Sequence, residues 1–520
     1  MSWFLSAQPL LPDLIRNNAA QRPTQAAVVF GERKLTWPEL DADLNRVAHV
    51  LLAQGLNSGD RVAILMQNSL EMLEVMLGTM CAGLVAVPLN VAVSDDGIEK
   101  QINDCEASAI IACDTHSARL DAMRSRLPAT IGKRRITLQK REGWLQLAEL
   151  MSQASAAPPD VNITAGQACN IIYSSGTTGL PKGIVHSHAC RMAWANNMSI
   201  ALRYHCDARA LISLGLYSNI TWVTMLATIL CGGTLVLMPA FDVVACLRLI
   251  ETQRITHSSM VPVQFQRLLA EPTFDSFKLE SINALMCCGS PLHADLKRQI
   301  VDRFPGDFIE LYGLTEGLVT TQSPADAAIN PESVGRACPG QSLQIIGNDD
   351  KPVAPGEPGE IVGYSDLLMS GYLNRDAANE EASWTDDKGR RWLRTGDIGR
   401  IDADGNLYIV DRKKDLIISG GQNIYPADIE AVIAQHPRVV DVAVVGVVSE
   451  RWGEAPLAVV AGQGIDALAL LRWTNERVGR QQKIAAVEII DELPRNPNGK
   501  ILKRELRERF ANVLREPVKN

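Results

Sequence analysis

Across the first four hundred residues of this chain, short β-rich apolar runs alternate with helical patterns. RVAILM (61–66) and GLVAVPL (83–89) flank a helical pattern around Glu71 to Met80. ASAIIAC (107–113) and ACNIIY (168–173) follow as further buried strands, and GGTLVLM, INALMCCG and FIELYG form a second series. Such alternation requires an α/β fold whose largely parallel strands carry helices on both faces. INALMCCG and FIELYG end in glycine, and ligands of α/β sheets bind beyond the carboxyl ends of strands. The small, proline-rich stretch SQASAAPPD (152–160) reads as a linker.

From about Gln341 the pattern changes to short alternating strands with Gly, Pro and Asp turns, as in GEPGEIVG and GNLYIVD, which implies a compact β subdomain. After DRKKD (411–415) a smaller α+β unit begins. In YPADIEAVIAQHP a proline stands near the first helical position and Ile429, Val432 and Ile433 share one face. VVDVAVVGV and APLAVVAG read as its strands. The expected organisation is a large N-terminal domain (1–411) of parallel-rich sheets plus the β subdomain, and a small mobile C-terminal domain (412–520).

At 520 residues, one ordinary core is too little. A net charge of −8 argues against nucleic acid as the main partner. None of the eleven cysteines forms a C-x-x-C pair, so they read as small buried hydrophobes of a reduced, cytoplasmic protein. The vicinal Cys287–Cys288 pair lacks companion ligands and reads as packed strand. No signal peptide and no uncharged apolar run long enough to span a membrane is found.

Chemistry first shows at YSSGTTGLPKG (173–183). Ser174, Ser175, Thr177 and Thr178 supply hydroxyl donors among Gly176, Gly179 and Gly183, and Lys182 supplies a cation. Glycines let backbone N–H groups turn outward, so the segment suits a phosphate chain. A Walker A loop requires glycine before its lysine, and here Pro181 stands there.

Four further stretches accompany it: LYGLTEG (311–317), RTGDIGR (394–400), DRKKDLIISGGQNIYP (411–426) and LPRNPNGKILKRELR (493–507). Together the five resemble the adenylate-forming superfamily of acyl-CoA synthetases, adenylation domains and luciferases, over nearly the whole chain. The resemblance implies that residues 174–182 grip the β- and γ-phosphates of ATP, with Lys182 as clamp. Tyr312 would lie against adenine, Thr315 would bond the α-phosphate, and Glu316 would hold Mg²⁺, a hard cation that prefers carboxylate oxygen. Gly313 would leave room for the acyl carboxylate. Gly289, Ser290 and Pro291 match an adenine-pocket strand end, although Cys288 stands where glycine is frequent. Asp397 would accept both ribose hydroxyls, Arg412 would touch the ribose and Lys414 would be the hinge. Lys500 would neutralise charge developing during adenylation, and Gly420 and Gly421 would line a pantetheine channel.

The implied reaction is attack of a carboxylate on the α-phosphorus of ATP, then of coenzyme A on the acyl-adenylate. The partners are small molecules, and the chain is expected as a monomer or homodimer. A ligase passing the acyl group to a carrier protein is the alternative; no carrier domain follows Asn520, which favours free coenzyme A. Where relatives often read P-L-F-H, this chain has Gly215 for the proline and Ser218 for the histidine. Tyr217, Trp222 and Leu318, with Ser218, are expected to make a mainly apolar acyl pocket.

Overall fold

In the computed structural model the described residues are 8–174, 181–292, 294–419, 422–449, 452–495 and 500–514. The strands Arg61–Leu65, Val85–Pro88, Ala109–Ala112 and Ala168–Tyr173 form in one eight-stranded sheet, parallel wherever they pair. Thr234–Leu237, Ala284–Cys287 and Asp307–Gly313 lie in a nine-stranded sheet. The strand Ala26–Phe30 joins that second sheet beside Thr234–Leu237, a pairing across two hundred residues of chain.

Period-two alternation turns successive residues of these strands toward different cores, which explains why most of their residues are apolar. Val62 and Ile64 face one core while Ala63 and Leu65 face another. Leu235 and Leu237 share the core of Val62, whereas Val236 faces a third. The shared core holds the helices Trp37–Ala53, Leu70–Cys81, His188–Ala201 and Asn219–Cys231, so a helical layer lies between the two sheets. Asp95–Asp104 covers the outer face of one sheet and Val243–Thr252 that of the other. Both faces of each sheet are thus removed from water, at about 1.5–3 kcal/mol for each large apolar side chain buried.

A third, antiparallel sheet comprises Ser342–Ile346, Gly359–Tyr364, Ser383–Thr385, Arg391–Ile401 and Leu407–Arg412. A fourth comprises Ile417–Ser419, Gln422–Ile424, Val439–Ser449, Gly453–Gly462 and Ala486–Ile489. Helix Pro426–Ile433 covers the fourth sheet with Ile429 and Ile433, while Val432, expected on the same face, lies outside that core. The chain leaves the third sheet at Arg412 and enters the fourth at Ile417, so one short turn joins a large N-terminal domain to a small C-terminal domain.

Residues 152–160 are more tightly held than a linker would be. Helix Leu147–Gln153 runs into the stretch, and the carbonyls of Ala156 and Ala157 accept from Asn45 at 3.1 Å and His49 at 3.0 Å. All eleven cysteines are free, and Cys287 and Cys288 are buried at a strand end. Among the described residues, no helix is long and apolar enough to cross a membrane.

Candidate active site

The phosphate-loop sequence is flanked by two strands that pair with each other. Strands Ala168–Tyr173 and Gly183–Ser187 pair antiparallel, with Tyr173 opposite Gly183. Ser174 and Lys182 close the loop: the Ser174 amide donates to the Lys182 carbonyl at 3.0 Å, and the Lys182 amide donates to Ser174 Oγ at 3.2 Å. Ser175, Gly176, Thr177, Thr178 and Gly179 lie outside the described residues, as do Gly420 and Gly421.

LYGLTEG is a hairpin tip. Asp307–Gly313 pairs antiparallel with Val319–Gln322, and the turn between them carries Thr315 and Glu316. Gly317 has φ +120°, and a Cβ there would sit 2.0 Å from the Leu367 carbonyl oxygen, so no other residue fits without moving the backbone. A Cβ on Gly313 would meet the Leu318 carbonyl oxygen at 2.7 Å, which makes that glycine a requirement of the turn itself.

Lys182 and Glu316 meet through Tyr372, a residue absent from the sequence expectations. Its phenol donates to Glu316 Oε1 at 2.8 Å, and the Lys182 ammonium lies 4.6 Å from its ring centroid. Burial and the Glu316 carboxylate push the Tyr372 phenol up, so the proton stays on it. No local signal marks Tyr372, because its strand is two residues long and pairs with Gly183–Ser187 across the chain.

Asp397 is 3 % exposed and lies on the strand Arg391–Ile401, opposite Arg412 in register. The register accounts for the ion pair, Arg412 Nε to Asp397 Oδ1 at 3.1 Å. Tyr312 donates its hydroxyl to the other oxygen at 2.7 Å. Three expected nucleotide residues from three motifs are therefore in one contact. Lys500, from the small domain, lies within their field. Burial and the Arg412 guanidinium hold its ammonium down to about 7, against the opposing pull of Asp397, with Lys414 and Asp415 also acting on it. Lys414 stands in the turn between the third and fourth sheets. Gly289, at φ +97°, follows strand Ala284–Cys287, with Ser290 and Pro291 next along the chain.

The expected acyl residues do not form one wall. Trp222 is buried in the helical layer and donates its indole N–H to the Leu216 carbonyl at 3.1 Å. Leu318 is buried in a different core, beneath Gly363 of the third sheet. Trp222 packs among the helices with the Arg191 guanidinium against its ring, and Leu318 packs with Ile345, Ile361 and Leu393. Tyr217 is half-buried, its ring folded so closely over Gly215 that a Cβ there would lie 2.2 Å from Cε1. Ser218 is buried at the start of helix Asn219–Cys231.

Behind these residues lies Arg191, also unanticipated. The side chain is fully buried, with its guanidinium 4.4 Å from the Trp222 ring centroid, and among the described residues it has no carboxylate partner. It donates to Asn170 Oδ1 at 2.8 Å, Asn219 Oδ1 at 2.9 Å and His186 Nδ1 at 3.2 Å. Because arginine only donates, His186 carries its proton on Nε2 and donates it to the Thr315 carbonyl at 2.8 Å. Burial, then Arg191, hold His186 well below the usual range, so it is neutral. Burial brings Arg191 down to about 10, which leaves it charged at neutral pH. An arginine within the otherwise apolar pattern HACRMAW was the available sequence signal.

The model of AMP-binding enzymes matches residues 15–373, and that of the AMP-binding enzyme C-terminal domain matches 428–500. The chain is similar to feruloyl-CoA synthase from Amycolatopsis sp, with 35% identity over 504 residues, covering 95% of this chain and 97% of that protein. Indoleacetate–CoA ligase from Aromatoleum aromaticum is 34% identical over 517 residues, covering 96% and 98%. Among solved structures, ATP-bound MatB from Rhodopseudomonas palustris superposes with a TM-score of 0.87 at 29% identity, covering 96% of this chain and 99% of that one.

The fold of Tyr217 over Gly215 generates a test. Gly215→Ala must displace the Tyr217 ring. The ranking of acids by kcat/KM should shift by about tenfold between small and large tails while the KM for ATP holds. A raised KM for ATP with an unchanged acid ranking would contradict this placement.

Proposed function

The chain belongs to the AMP-binding enzyme family and is an AMP-forming acid–CoA ligase, and we propose that its acid is hydrophobic, with aryl-substituted acids the first class to test. ATP and coenzyme A are the family's co-substrates. The observation that carries the site reading is the meeting of Tyr312 and Arg412 on Asp397, with Lys500 of the small domain in the same field. The acid reading is supported by the apolar helix Asn219–Cys231, by Tyr217 at its entrance, and by relatives whose names specify aryl acids.

In this reading Asp397 and Arg412 hold the ribose, each retaining hydrogen-bonding capacity beyond the contact they share. Tyr312 flanks the base with Gly289, Ser290 and Pro291. Thr315, whose carbonyl is fixed by His186, presents its hydroxyl to the α-phosphate. Residues 174–182 hold the departing pyrophosphate through the hydroxyls of Ser174, Ser175, Thr177 and Thr178 and the Lys182 ammonium. Glu316 fits Mg²⁺: it is one carboxylate with a phenol on one oxygen, and no group of three or more potential ligands occurs among the described residues. That donor set suits an ion that arrives with the triphosphate and retains water. When bound, Mg²⁺ would neutralise phosphate charge.

Lys500 supplies the cation as negative charge builds between carboxylate and α-phosphate. Such a positioned charge contributes about 10²–10³-fold in rate. The division at 411/412 and the hinge at Lys414 belong to the same reading, supported by the change of sheet between Arg412 and Ile417. Turning the small domain there would withdraw Lys500 and present Gly420 and Gly421 to the thiol, so that one domain serves two half-reactions.

Two outcomes are expected. With an acid panel, ATP, Mg²⁺ and coenzyme A, the nucleotide product is AMP, one per thioester formed; stoichiometric ADP would contradict the reading. The second outcome concerns pH. Lys500 is charged below about 7 and neutral above it in the free enzyme. Adenylation kcat/KM therefore falls as pH rises through that value, and Lys500→Arg, which stays charged, abolishes the fall at a lower overall rate. An identical basic limb in wild type and Lys500→Arg would remove Lys500 from the role.

A further inference from the structure

We propose that Tyr372 is a positioning residue that keeps the Lys182 ammonium and the Glu316 carboxylate apart, so that each remains available to the magnesium–triphosphate. The inference deepens the proposed function and rests on its assignment of Lys182 to phosphate and Glu316 to Mg²⁺. A lysine and a glutamate bordering one small site would neutralise each other directly, and the triphosphate would then have to break that ion pair to bind. Among the described residues, no ion pair joins Lys182 to Glu316; Tyr372 stands between them.

Each charged group is instead given a neutral partner. Glu316 Oε1 receives the Tyr372 hydroxyl at 2.8 Å, which fixes the carboxylate orientation and leaves Oε2 without a partner among the described residues. Lys182 rests 4.6 Å from the ring centroid, and among the described residues no carboxylate pairs with its ammonium, so the contact is exchanged readily for phosphate.

Tyr372 is itself held from three directions. Its backbone pairs with Ile184 on the strand leaving the phosphate loop, and the Leu373 amide donates to the Gly183 carbonyl at 2.8 Å. Asn379 brackets it, accepting from the Tyr372 amide at 2.7 Å and donating to its carbonyl at 3.1 Å. The neighbouring Met369 amide donates to the Glu316 carbonyl at 2.8 Å. The ring therefore moves with the two motifs it separates.

The test is calorimetric titration of ATP, with and without Mg²⁺, into the whole enzyme and two variants. Tyr372→Phe keeps the ring and loses the hydroxyl. It should weaken MgATP binding by about tenfold, the scale of one hydrogen bond to a charged group, and leave metal-free ATP binding unchanged. Tyr372→Leu removes ring and hydroxyl, lets Lys182 reach Glu316, and should weaken both. Far-UV circular dichroism and a cooperative thermal transition matching the wild type report that each variant is folded. MgATP binding by Tyr372→Phe at wild-type strength, or equal weakening with and without metal, would overturn the role of Tyr372 alone. Wild-type binding of ATP that is indifferent to Mg²⁺ would overturn the metal reading of Glu316 together with it.

Discussion

The buried carboxylate of Asp397 is the contact on which the arrangement of this molecule depends. A carboxylate removed from water is tolerated only when its oxygens are paired, and loss of one partner from a buried pair costs about 3–5 kcal/mol. Arg412 occupies one oxygen and Tyr312 the other. Those partners come from different layers: Tyr312 from the nine-stranded sheet, Arg412 from the last strand of the third sheet before the chain enters the small domain. Satisfying one charge thus fixes the β subdomain against the large sheets and sets where the small domain departs. Lys500 is buried beside this pair, and its proton is loosely held because burial and then the Arg412 guanidinium outweigh the pull of Asp397.

A second constraint lies on the opposite side of the site. Arg191 places a charge where water cannot screen it, and it is held by neutral acceptors and the face of Trp222. Its contacts link both strands flanking the phosphate loop, the start of helix Asn219–Cys231 and, through His186, the Thr315 carbonyl. The segments assigned to phosphate, acyl group and nucleotide therefore share one buried junction. Tyr372 repeats the principle nearer the surface, where it meets Lys182 and Glu316 at once. Positioning of this type supplies most of the catalysis in a reaction that asks for little covalent participation by the protein.

What the sequence disclosed and what it concealed follow from the range of the forces involved. Ala168–Tyr173 and Asp307–Gly313 were legible because a strand covered on both faces is apolar at most of its positions. The turn at 314–317 was legible because a tight turn demands glycine and small polar residues at fixed spacing. The pairing of Ala26–Phe30 with Thr234–Leu237 was not legible, since apolar strands carry no local record of their partner. Trp222 and Leu318 were expected to line the acyl pocket. Their segments are covered on all sides, and an aromatic or leucine reads alike whether it faces a ligand or a core. Tyr372 and Arg191 act through contacts far along the chain and fall outside any motif spacing.

Formation of a discrete acyl-adenylate at this site is the central claim, and exchange of labelled pyrophosphate into ATP tests it most directly. With the right acid and no coenzyme A, adenylation is reversible, so label should enter ATP at a rate that depends on the acid and on Mg²⁺. Label that enters ATP only when coenzyme A is present, or enters equally without acid, would contradict an adenylate formed before the thiol arrives.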